Sequence, residues 1–287
     1  MAKLTKVQIS NKKEQILNKF NILGTKFKVQ LISLQKNAGN AAALYQMRVC
    51  LKKTLSLTEF LCSAPIENID SERHYKKFKI LQKKISKTRD LQVQTKLIQK
   101  FRKPSGKAEA LFFQWLNLNK ARKTRELELI LKKERVANYL AIYKEISESL
   151  RRDNKTIELY TKTYIGDQLI LAEIYSQHVR RDFHKLRVIV KKLHFTMDLH
   201  AIMTDSLLYK IKQVEKLLGN AHDLTLGRNM IKLFLKRHRL SQVSEKAIKK
   251  MSVAMLKKIN SDLKKVNQKA INLLEEIKVI NINPEGQ

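Results

Sequence analysis

Glycine and proline are almost absent from this chain, and their scarcity limits its possible folds more than any other feature does. Only 7 Gly and 3 Pro occur among 287 residues. Sheets and irregular folds need many turn residues, whereas helix interiors exclude both residue types. Apolar residues also recur at helical spacing along most of the chain. The sequence therefore predicts an all-α protein, and its length is ample for burying a core.

The few helix breakers predict where helices begin and end. A helix that begins near Asn40 should end before Pro65. The Lys-Pro-Ser-Gly segment at residues 103–106 should end another helix and begin a long one that runs towards Leu150. Each boundary combines a residue that cannot continue a helix with a short polar run.

A further long helix is predicted from Asp167 to about Met203, with Gly166 before it and Asp167 as its N-cap. Its apolar seam, at spacings of three and four, consists of Val179, Phe183, Leu186, Val190, Leu193 and Met197. About 100° around the helix is a basic row about 21 Å long, made of Arg180, His184, Arg187, Lys191 and His194. Because stacked cations repel each other, such a row favours an extended anionic ligand. The alternative is an ordinary solvated helix face.

The chain also carries a large surplus of positive charge. Its 59 Lys and Arg stand against 26 Asp and Glu, which gives a formal net charge of +33. Charge of this size opposes compaction unless anions bind to the protein. It favours a partner that is itself a polymer of negative charge: polyphosphate, nucleic acid or an anionic membrane surface. Charge alone does not choose among these three.

Two short motifs occur twice in the same order, which indicates an internal duplication. Residues 47–53 (MRVCLKK) resemble residues 186–192 (LRVIVKK), which lie 139 positions later. Residues 89–93 (RDLQV) resemble residues 222–226 (HDLTL), which lie 133 positions later. The chain is therefore predicted to consist of two related helical halves.

Basic residues take matching positions in these halves, which span about residues 8–150 and 151–280. In each half one row lies one residue beyond an apolar seam, and these rows contain Arg48 and Lys52, and Arg187 and Lys191. Each half has a second row on a later helix, made of Lys79, Lys83 and Arg89, and of Lys212, Lys216 and His222. Matched rows argue against a merely solvated surface, because solvation alone requires no particular register.

The two cysteines and the N-terminal sequence indicate in which cellular compartment the protein is expected. Twelve residues of helix separate Cys50 from Cys62 by about 18 Å, too far for a disulfide with each other. We expect two buried thiols in a reducing compartment. No apolar run follows the early lysines as in a signal peptide, and no stretch is long and apolar enough to span a bilayer. We therefore expect a cytoplasmic protein.

No motif predicts catalysis, a cofactor or a metal. The sequence lacks a P-loop, a Gly-rich phosphate turn and a nucleophile elbow. Its seven His include no i, i+4 pair, and no zinc-ligand spacing occurs. Trp115, beside two Phe residues, is expected in a core rather than as a base-stacking platform. We expect a binding protein and not an enzyme.

At the repeated motifs the sequence resembles the CHAD domain family. The family's pattern is a His-x-x-Arg-Val helix, paired basic residues and a Leu-Gly-x-x-x-Asp segment, with the whole unit repeated. The second unit matches at residues 184–188, Lys191-Lys192 and 218–223. The first unit matches at residues 46–49, Lys52-Lys53 and Arg89-Asp90. The two units and the helices between them cover nearly the whole chain, as one CHAD-like domain of residues 1–287.

The resemblance implies two pseudo-symmetric four-helix-like bundles with a central basic channel that holds inorganic polyphosphate. Tyr45 takes the histidine position of the first unit, so that half should bind more weakly or with a different dependence on protonation. Tyr45, Asp90 and Asp223 are predicted to support the ligand-binding residues. Those residues are Arg48, Lys52, Lys53, Lys79, Lys83, Arg89, Arg180, His184, Arg187, Lys191, Lys192, His194, Lys212, Lys216 and His222. Polyphosphate binding would also allow association with polyphosphate granules.

Two other interpretations stay open. The net charge and an isoelectric point near 10.1 fit a nucleic-acid-binding helical protein, although no recognised nucleic-acid motif occurs. The Lys-rich segment from Glu245 to Lys269 would also suit a helical assembly protein that docks on acidic partners. A thin polyphosphate chain suits a deep channel, whereas a duplex needs a broad exposed face.

Overall fold

Helices account for nearly all of the described chain. The computed structural model describes residues 6–63, 70–100, 107–152, 154–177, 179–200, 205–237 and 245–282. Within these ranges there are nine α-helices and no strand, so the all-α prediction is confirmed. In chain order the helices are α1 (Lys6–Lys36), α2 (Ala41–Ser63), α3 (Ser71–Lys100), α4 (Lys107–Leu131), α5 (Val136–Arg152), α6 (Asn154–Gln177), α7 (Val179–His200), α8 (Asp205–Arg237) and α9 (Glu245–Ile282).

The helices form two compact units, each assembled from two separate stretches of chain. The first unit comprises Met1–Ser86 and Leu127–Ile211, and the second comprises Lys87–Glu126 and Lys212–Gln287. The boundaries fall inside α3, α4 and α8, so each of these helices contributes to both units. The units therefore do not coincide with the two sequence halves. The division into repeats stays a prediction, and so does the pseudo-symmetry of two bundles.

Short polar side chains begin two of the helices. The Asn40 Oδ1 atom accepts hydrogen bonds from the backbone N–H groups of Ala42 and Ala43, both at 3.1 Å. The Asp70 Oδ1 atom accepts one from the N–H of Arg73, also at 3.1 Å. These bonds satisfy N–H groups that have no partner within the helix. The start of α2 near Asn40 agrees with the sequence prediction.

The long helix predicted after residues 103–106 is wrong, because the chain breaks between α4 and α5. The break spans residues 132–135, which contain neither Gly nor Pro. The Gln35 Nε2 atom on α1 donates hydrogen bonds to the carbonyls of Leu131 at 3.1 Å and Glu134 at 2.8 Å. These bonds satisfy carbonyls at the end of α4. A side chain distant in sequence thus stabilises a turn that local residue types do not indicate.

The predicted helix from Asp167 to Met203 is also wrong. Gly166 and Asp167 lie inside α6, so Asp167 is not an N-cap. A glycine in a helix interior costs only about 1 kcal/mol, which the packing of α6 against α7 can offset. The actual boundary falls between Gln177 and Val179, where α7 begins.

Aromatic rings fill the core of the first unit. Phe27, Phe78, Tyr139 and Tyr143 form a cluster whose ring centroids lie 5.1–5.8 Å apart. The Tyr143 hydroxyl lies 2.5 Å from the hydroxyl of Thr54, so its polar end is satisfied inside the core. The apolar seams of α2 and α7 join this unit, and their buried members are Leu44, Met47, Leu51, Leu61, Leu186, Val190, Leu193 and Met197. Of the other two predicted members of the α7 seam, Phe183 is half-buried and the side chain of Val179 lies outside the described ones.

The second unit has its own core between α4, α8 and α9. Phe112 stacks on Trp115, with ring centroids 6.0 Å apart, and lies 4.7 Å from Phe234. Trp115 therefore packs against a core, as expected from the sequence. A Cβ at Gly227 would lie only 3.0 Å from the Gln94 side-chain oxygen. A larger residue at this position would therefore require the Gln94 side chain to shift, because α3 and α8 approach closely within this unit.

The expectation of two buried thiols is half right. Cys50 is buried, whereas Cys62 is exposed. Twelve residues of helix turn the chain by about 120° beyond whole turns, so the two thiols face different directions. Burial raises the pKa of the Cys50 thiol, which keeps it in the unreactive neutral form.

Candidate functional site

Two ion pairs join α2 to α7 inside the first unit. The Lys53 Nζ atom lies 2.8 Å from Asp198 Oδ2, and Lys192 Nζ lies 2.5 Å from Glu59 Oε1. Glu59 lies six residues after Lys53 on α2, whereas its partner Lys192 lies six residues before Asp198 on α7. The two helices are therefore antiparallel here. The four side chains are 22–44% exposed. Partial shielding strengthens such pairs compared with fully solvated ones.

The two ion pairs are equivalent under the sequence repeat. Lys192 follows Lys53 by 139 positions, and Asp198 follows Glu59 by the same 139 positions. Each helix thus supplies the same lysine and carboxylate to the other, which is the reciprocity expected of a two-fold arrangement. Sequence reasoning did not single out Glu59 or Asp198. They could have been found by extending the 139-residue offset between the repeated motifs six residues beyond Lys53 and Lys192.

Four further cations lie on the same two helices, and we call Arg48, Lys52, Lys191 and Arg187 the basic row. The ion pairs fix which residues of α2 and α7 lie opposite each other, so the four cations follow one another in this order along the helix pair. At 1.5 Å per residue, the row spans about 24 Å. Arg187 is buried, with 8% of its surface exposed, and the other three are half-buried. Burial restricts these side chains, so the charges are held more rigidly than on a solvated face.

Lys53 and Lys192 were predicted to bind the ligand, and the structure gives each of them a carboxylate partner. They hold α2 and α7 in register beside the basic row. Their direct contact with an anion stays a prediction. Tyr45, one turn before Arg48, is exposed, and its supporting role also stays a prediction.

The start of α7 interrupts the longer row predicted from sequence. Asp182 has non-helical dihedrals of φ −105° and ψ 17°, and its buried carboxylate lies 3.1 Å from Lys185 Nζ. Arg180 precedes this residue and its side chain lies outside the described ones, so its place in the row stays a prediction. His184 is exposed on α7 and His194 is half-buried. The uninterrupted part of the predicted row therefore begins at His184.

The first part of α3 brings Lys79 towards the Glu59–Lys192 ion pair. The Lys79 Nζ atom lies 5.6 Å from the centroid of the Tyr75 ring. Burial raises the pKa of Tyr75, and the negative charge of Glu59 adds to that effect. Tyr75 thus lies within electrostatic reach of the ion pair and stays neutral. Lys83, one turn beyond Lys79, is exposed on α3.

Asp198 is surrounded by cations from three helices. The Lys19 ammonium on α1 donates a hydrogen bond to the Asp198 backbone carbonyl, in the last turn of α7, where cations are favourable. Burial alone would raise the pKa of the Asp198 carboxyl. The hydrogen bond from Lys53, with the charges of Lys53, Lys19 and His194, holds that pKa below its ordinary value. The carboxylate therefore stays ionised at neutral pH.

The remaining predicted site residues belong to the second unit: Arg89, Asp90, Lys212, Lys216, His222 and Asp223. The Arg89 Nη1 atom donates a hydrogen bond to Gln92 Oε1 at 3.2 Å. Arg89 follows Lys83 by six residues of continuous helix, which turns it by about 240°. It therefore does not share a helix face with Lys83, and the same spacing separates His222 from Lys216. The orienting roles of Asp90 and Asp223 stay predictions.

Two other features of the described residues bear on function. None of the described helices is both long enough and apolar enough to cross a membrane. In the same parts of the chain, no cluster of three or more His, Cys, Asp or Glu could hold a metal ion.

Comparison with known proteins agrees with the motif analysis. The sequence profile described as the CHAD domain matches residues 28–232, which is more than half of the chain. The fold is similar to the crystal structure of the CHAD domain from the plant Ricinus communis, with a TM-score of 0.70, 11% identity and 91% of each chain covered. It is also similar to PptA from Streptomyces chartreusis, with a TM-score of 0.65 and 11% identity, covering 90% of this chain and 98% of that one. No curated protein matches the sequence.

The profile match includes the repeated Arg-Val and Lys-Lys motifs on α2 and α7 and the Gly-x-x-x-Asp segment on α8. It also includes all four residues of the basic row. Sequence motifs, helical architecture and profile thus agree on one assignment. The chain belongs to the CHAD domain family.

Proposed function

We propose that the protein binds inorganic polyphosphate along the basic row and does not alter it chemically. The observation that carries this proposal is the pair of reciprocal ion pairs between α2 and α7. They set a register in which Arg48, Lys52, Lys191 and Arg187 follow one another over about 24 Å. That length suits an extended anion and exceeds what a single phosphate group could use.

The reciprocity also bears on the direction in which the row faces. A two-fold axis that exchanges two antiparallel helices is perpendicular to the plane containing them. Such an operation keeps equivalent side chains on the same side of that plane. Arg48 and Lys52 should therefore face the same side as Arg187 and Lys191, where one anionic chain can contact all four.

The chemistry of the row fits a polymer of phosphates. Arginine makes forked hydrogen bonds to phosphate oxygens, and lysine makes point contacts. Polyphosphate has no bases to stack or read, and the row contains no aromatic residue. Because the four cations are already restricted by burial, ordering them on the ligand costs less entropy than ordering exposed lysines.

The CHAD assignment extends the proposal to the other predicted residues. In it, the predicted cations of α3 and α8 also contact polyphosphate. The protein acts as a non-catalytic binding module for polyphosphate.

A second candidate is nucleic-acid binding, and the exposed lysines of α9 favour it. A duplex carries its phosphates on a broad cylinder and needs an open basic face. The helix α9 offers such a face, whereas the half-buried basic row does not.

A competition experiment separates the two candidates. Labelled long-chain polyphosphate is displaced by unlabelled polyphosphate or by duplex DNA at matched phosphate concentration. We expect polyphosphate to bind at least about tenfold more tightly, with both affinities falling as salt rises because both ligands release counterions. Equal affinities across the salt series would favour the nucleic-acid function.

The non-catalytic part of the proposal has its own test. After prolonged incubation with Mg²⁺, the chain length of polyphosphate is measured by gel electrophoresis, and free phosphate is assayed. Unchanged chains support a binding module. Chain shortening or released phosphate would contradict it.

A further inference from the structure

A separate pocket opens between α1, α2 and α7 in the first unit. It encloses about 260 Å³, slightly below the range of roughly 300–1,000 Å³ that is usual for ligand pockets. Lys53 contributes to it from α2, one residue after Lys52. One residue turns an α-helix by about 100°, so the pocket lies on a different face of α2 from the basic row.

The walls of this α1–α2–α7 pocket are mainly apolar. Leu23, Leu57 and Phe60 are buried parts of the wall. Phe195 contributes a half-buried ring from α7. The Cys50 thiol also lines the pocket, and because burial raises its pKa it acts as a neutral part of the wall. A purely ionic ligand such as phosphate would leave these surfaces without contact.

The charges of the pocket are unbalanced. Lys19, Lys26 and Lys53 line it together with a single carboxylate, that of Asp198. Lys53 forms an ion pair with Asp198 at 2.8 Å, and Lys19 donates to the Asp198 backbone carbonyl. With three ammonium groups against one carboxylate, a net positive charge lies beside an apolar cavity. A cationic or neutral ligand would not use that charge.

We propose that the α1–α2–α7 pocket binds a small organic anion with an apolar body. The body packs against Leu57, Phe60 and Phe195, and the phosphate or carboxylate head contacts the lysines. Lys26 is exposed on α1, so its side chain can adjust most easily to the position of the head group. This site is separate from the basic row, because it uses another face of α2 and none of the four cations of that row.

The test uses phenyl phosphate as the probe, with inorganic phosphate as its head-group control, and isothermal titration calorimetry on the full chain. We expect phenyl phosphate to bind roughly tenfold or more tightly than inorganic phosphate, because the ring buries apolar surface. Equal affinity for the two anions would overturn the proposal, because the apolar walls would then contribute nothing.

Two variants locate the binding, and Lys28→Ala is the matched control. Lys26→Ala should weaken phenyl phosphate binding about tenfold, through loss of one charge-assisted contact. Lys28 is exposed on the same helix outside the pocket, so Lys28→Ala should change affinity less than about twofold. Equal losses in the two variants would show that only general electrostatics attracts the anion.

A third variant, Val49→Trp, should fill the pocket and abolish phenyl phosphate binding while long-chain polyphosphate binding stays unchanged. Thermal unfolding followed by circular dichroism shows whether this variant still folds. Retained phenyl phosphate binding in the folded variant would contradict the proposal. If Lys52→Ala/Lys191→Ala loses polyphosphate but keeps phenyl phosphate, the two sites are separate.

Discussion

The α2–α7 pair and the C-terminal helix α9 are both rich in basic residues, yet their cations lie in opposite environments. Three members of the basic row are half-buried and Arg187 is buried. On α9 the apolar seam of Ile248, Met255 and Ile259 is buried. Its lysines are exposed, namely Lys246, Lys249, Lys250, Lys257, Lys258, Lys264, Lys265 and Lys269.

This difference shows that the number of charges in a region does not reveal how firmly they are held. Exposed lysines are screened by salt and lose side-chain entropy when a ligand orders them. On α2 and α7, burial and ion pairs with Glu59 and Asp198 have already restricted much of that freedom. The same residue type should therefore contribute more per contact on α2 and α7 than on α9.

The largest effect is expected when two positive charges are removed from each region in turn. Each charge-assisted contact to phosphate contributes about 1.5–3 kcal/mol, so Lys52→Ala/Lys191→Ala should weaken polyphosphate binding by roughly two orders of magnitude or more. Lys249→Ala/Lys250→Ala removes the same charge from α9, where exposed charges contribute little, and should cost less than about tenfold. Fluorescence anisotropy with labelled polyphosphate measures both. Similar losses would mean that generic electrostatics governs binding.

A second comparison concerns stability. Arg187→Ala should lower the free energy of unfolding by about 1–3 kcal/mol, because the buried stem of the arginine loses its packing. Lys249→Ala should change it by less than about 0.5 kcal/mol. Urea denaturation gives both values. Arg187→Met keeps most of the apolar volume and should recover part of the loss. If Arg187→Ala were as stable as Lys249→Ala, the burial of the basic row would have no energetic consequence.

The smallest expected effect is that of the Lys53–Asp198 ion pair, at about 0.5–1 kcal/mol for a partly exposed pair. The pKa of Asp198 is held below its ordinary value of 3.8 in the folded state. Its contribution to stability is therefore full above the unfolded-state pKa and is lost as pH falls through the folded-state pKa. Asp198→Asn should be less stable than the wild type at pH 7. The difference should shrink as the pH falls below about 4 and disappear below the folded-state pKa.

The free energies of unfolding of the wild type and Asp198→Asn, measured from neutral to acidic pH, test the direction of this effect. Asp262 is half-buried on α9, and Asp262→Asn is the matched control for loss of a carboxylate. A difference for Asp198→Asn that grew as the pH fell would contradict the role of the ion pair.

Local patterns predicted the helices but not all of their boundaries. Asn40 was found because a cap is formed by a side chain and N–H groups only two or three residues away. The break before Val136 was missed because Gln35, about one hundred residues earlier, satisfies the carbonyls there. Gly166 suggested a boundary, yet it lies within α6 because helix packing outweighs the modest helix propensity penalty of a glycine.

The candidate site divides in the same way. Arg48, Lys52, Arg187 and Lys191 were recognised because their motif is repeated and their spacing matches a helix. Their partial burial could not be read from spacing, because it depends on which other helix covers that face. Glu59 and Asp198 were overlooked because an isolated carboxylate gives no signal until its lysine is known. The non-helical backbone of Asp182 was missed because no local residue type indicates it.

The sequence by itself determined the helical class, the apolar seams, the repeated basic motifs and membership of the CHAD domain family. These properties depend on residue type and on spacing within one helix, both of which are local. The tertiary structure decided that α2 and α7 are antiparallel, which lysines face carboxylates, and that a pocket opens on the other face of α2. Such features require contacts between residues more than one hundred positions apart, and only packing of the apolar seams brings those residues together.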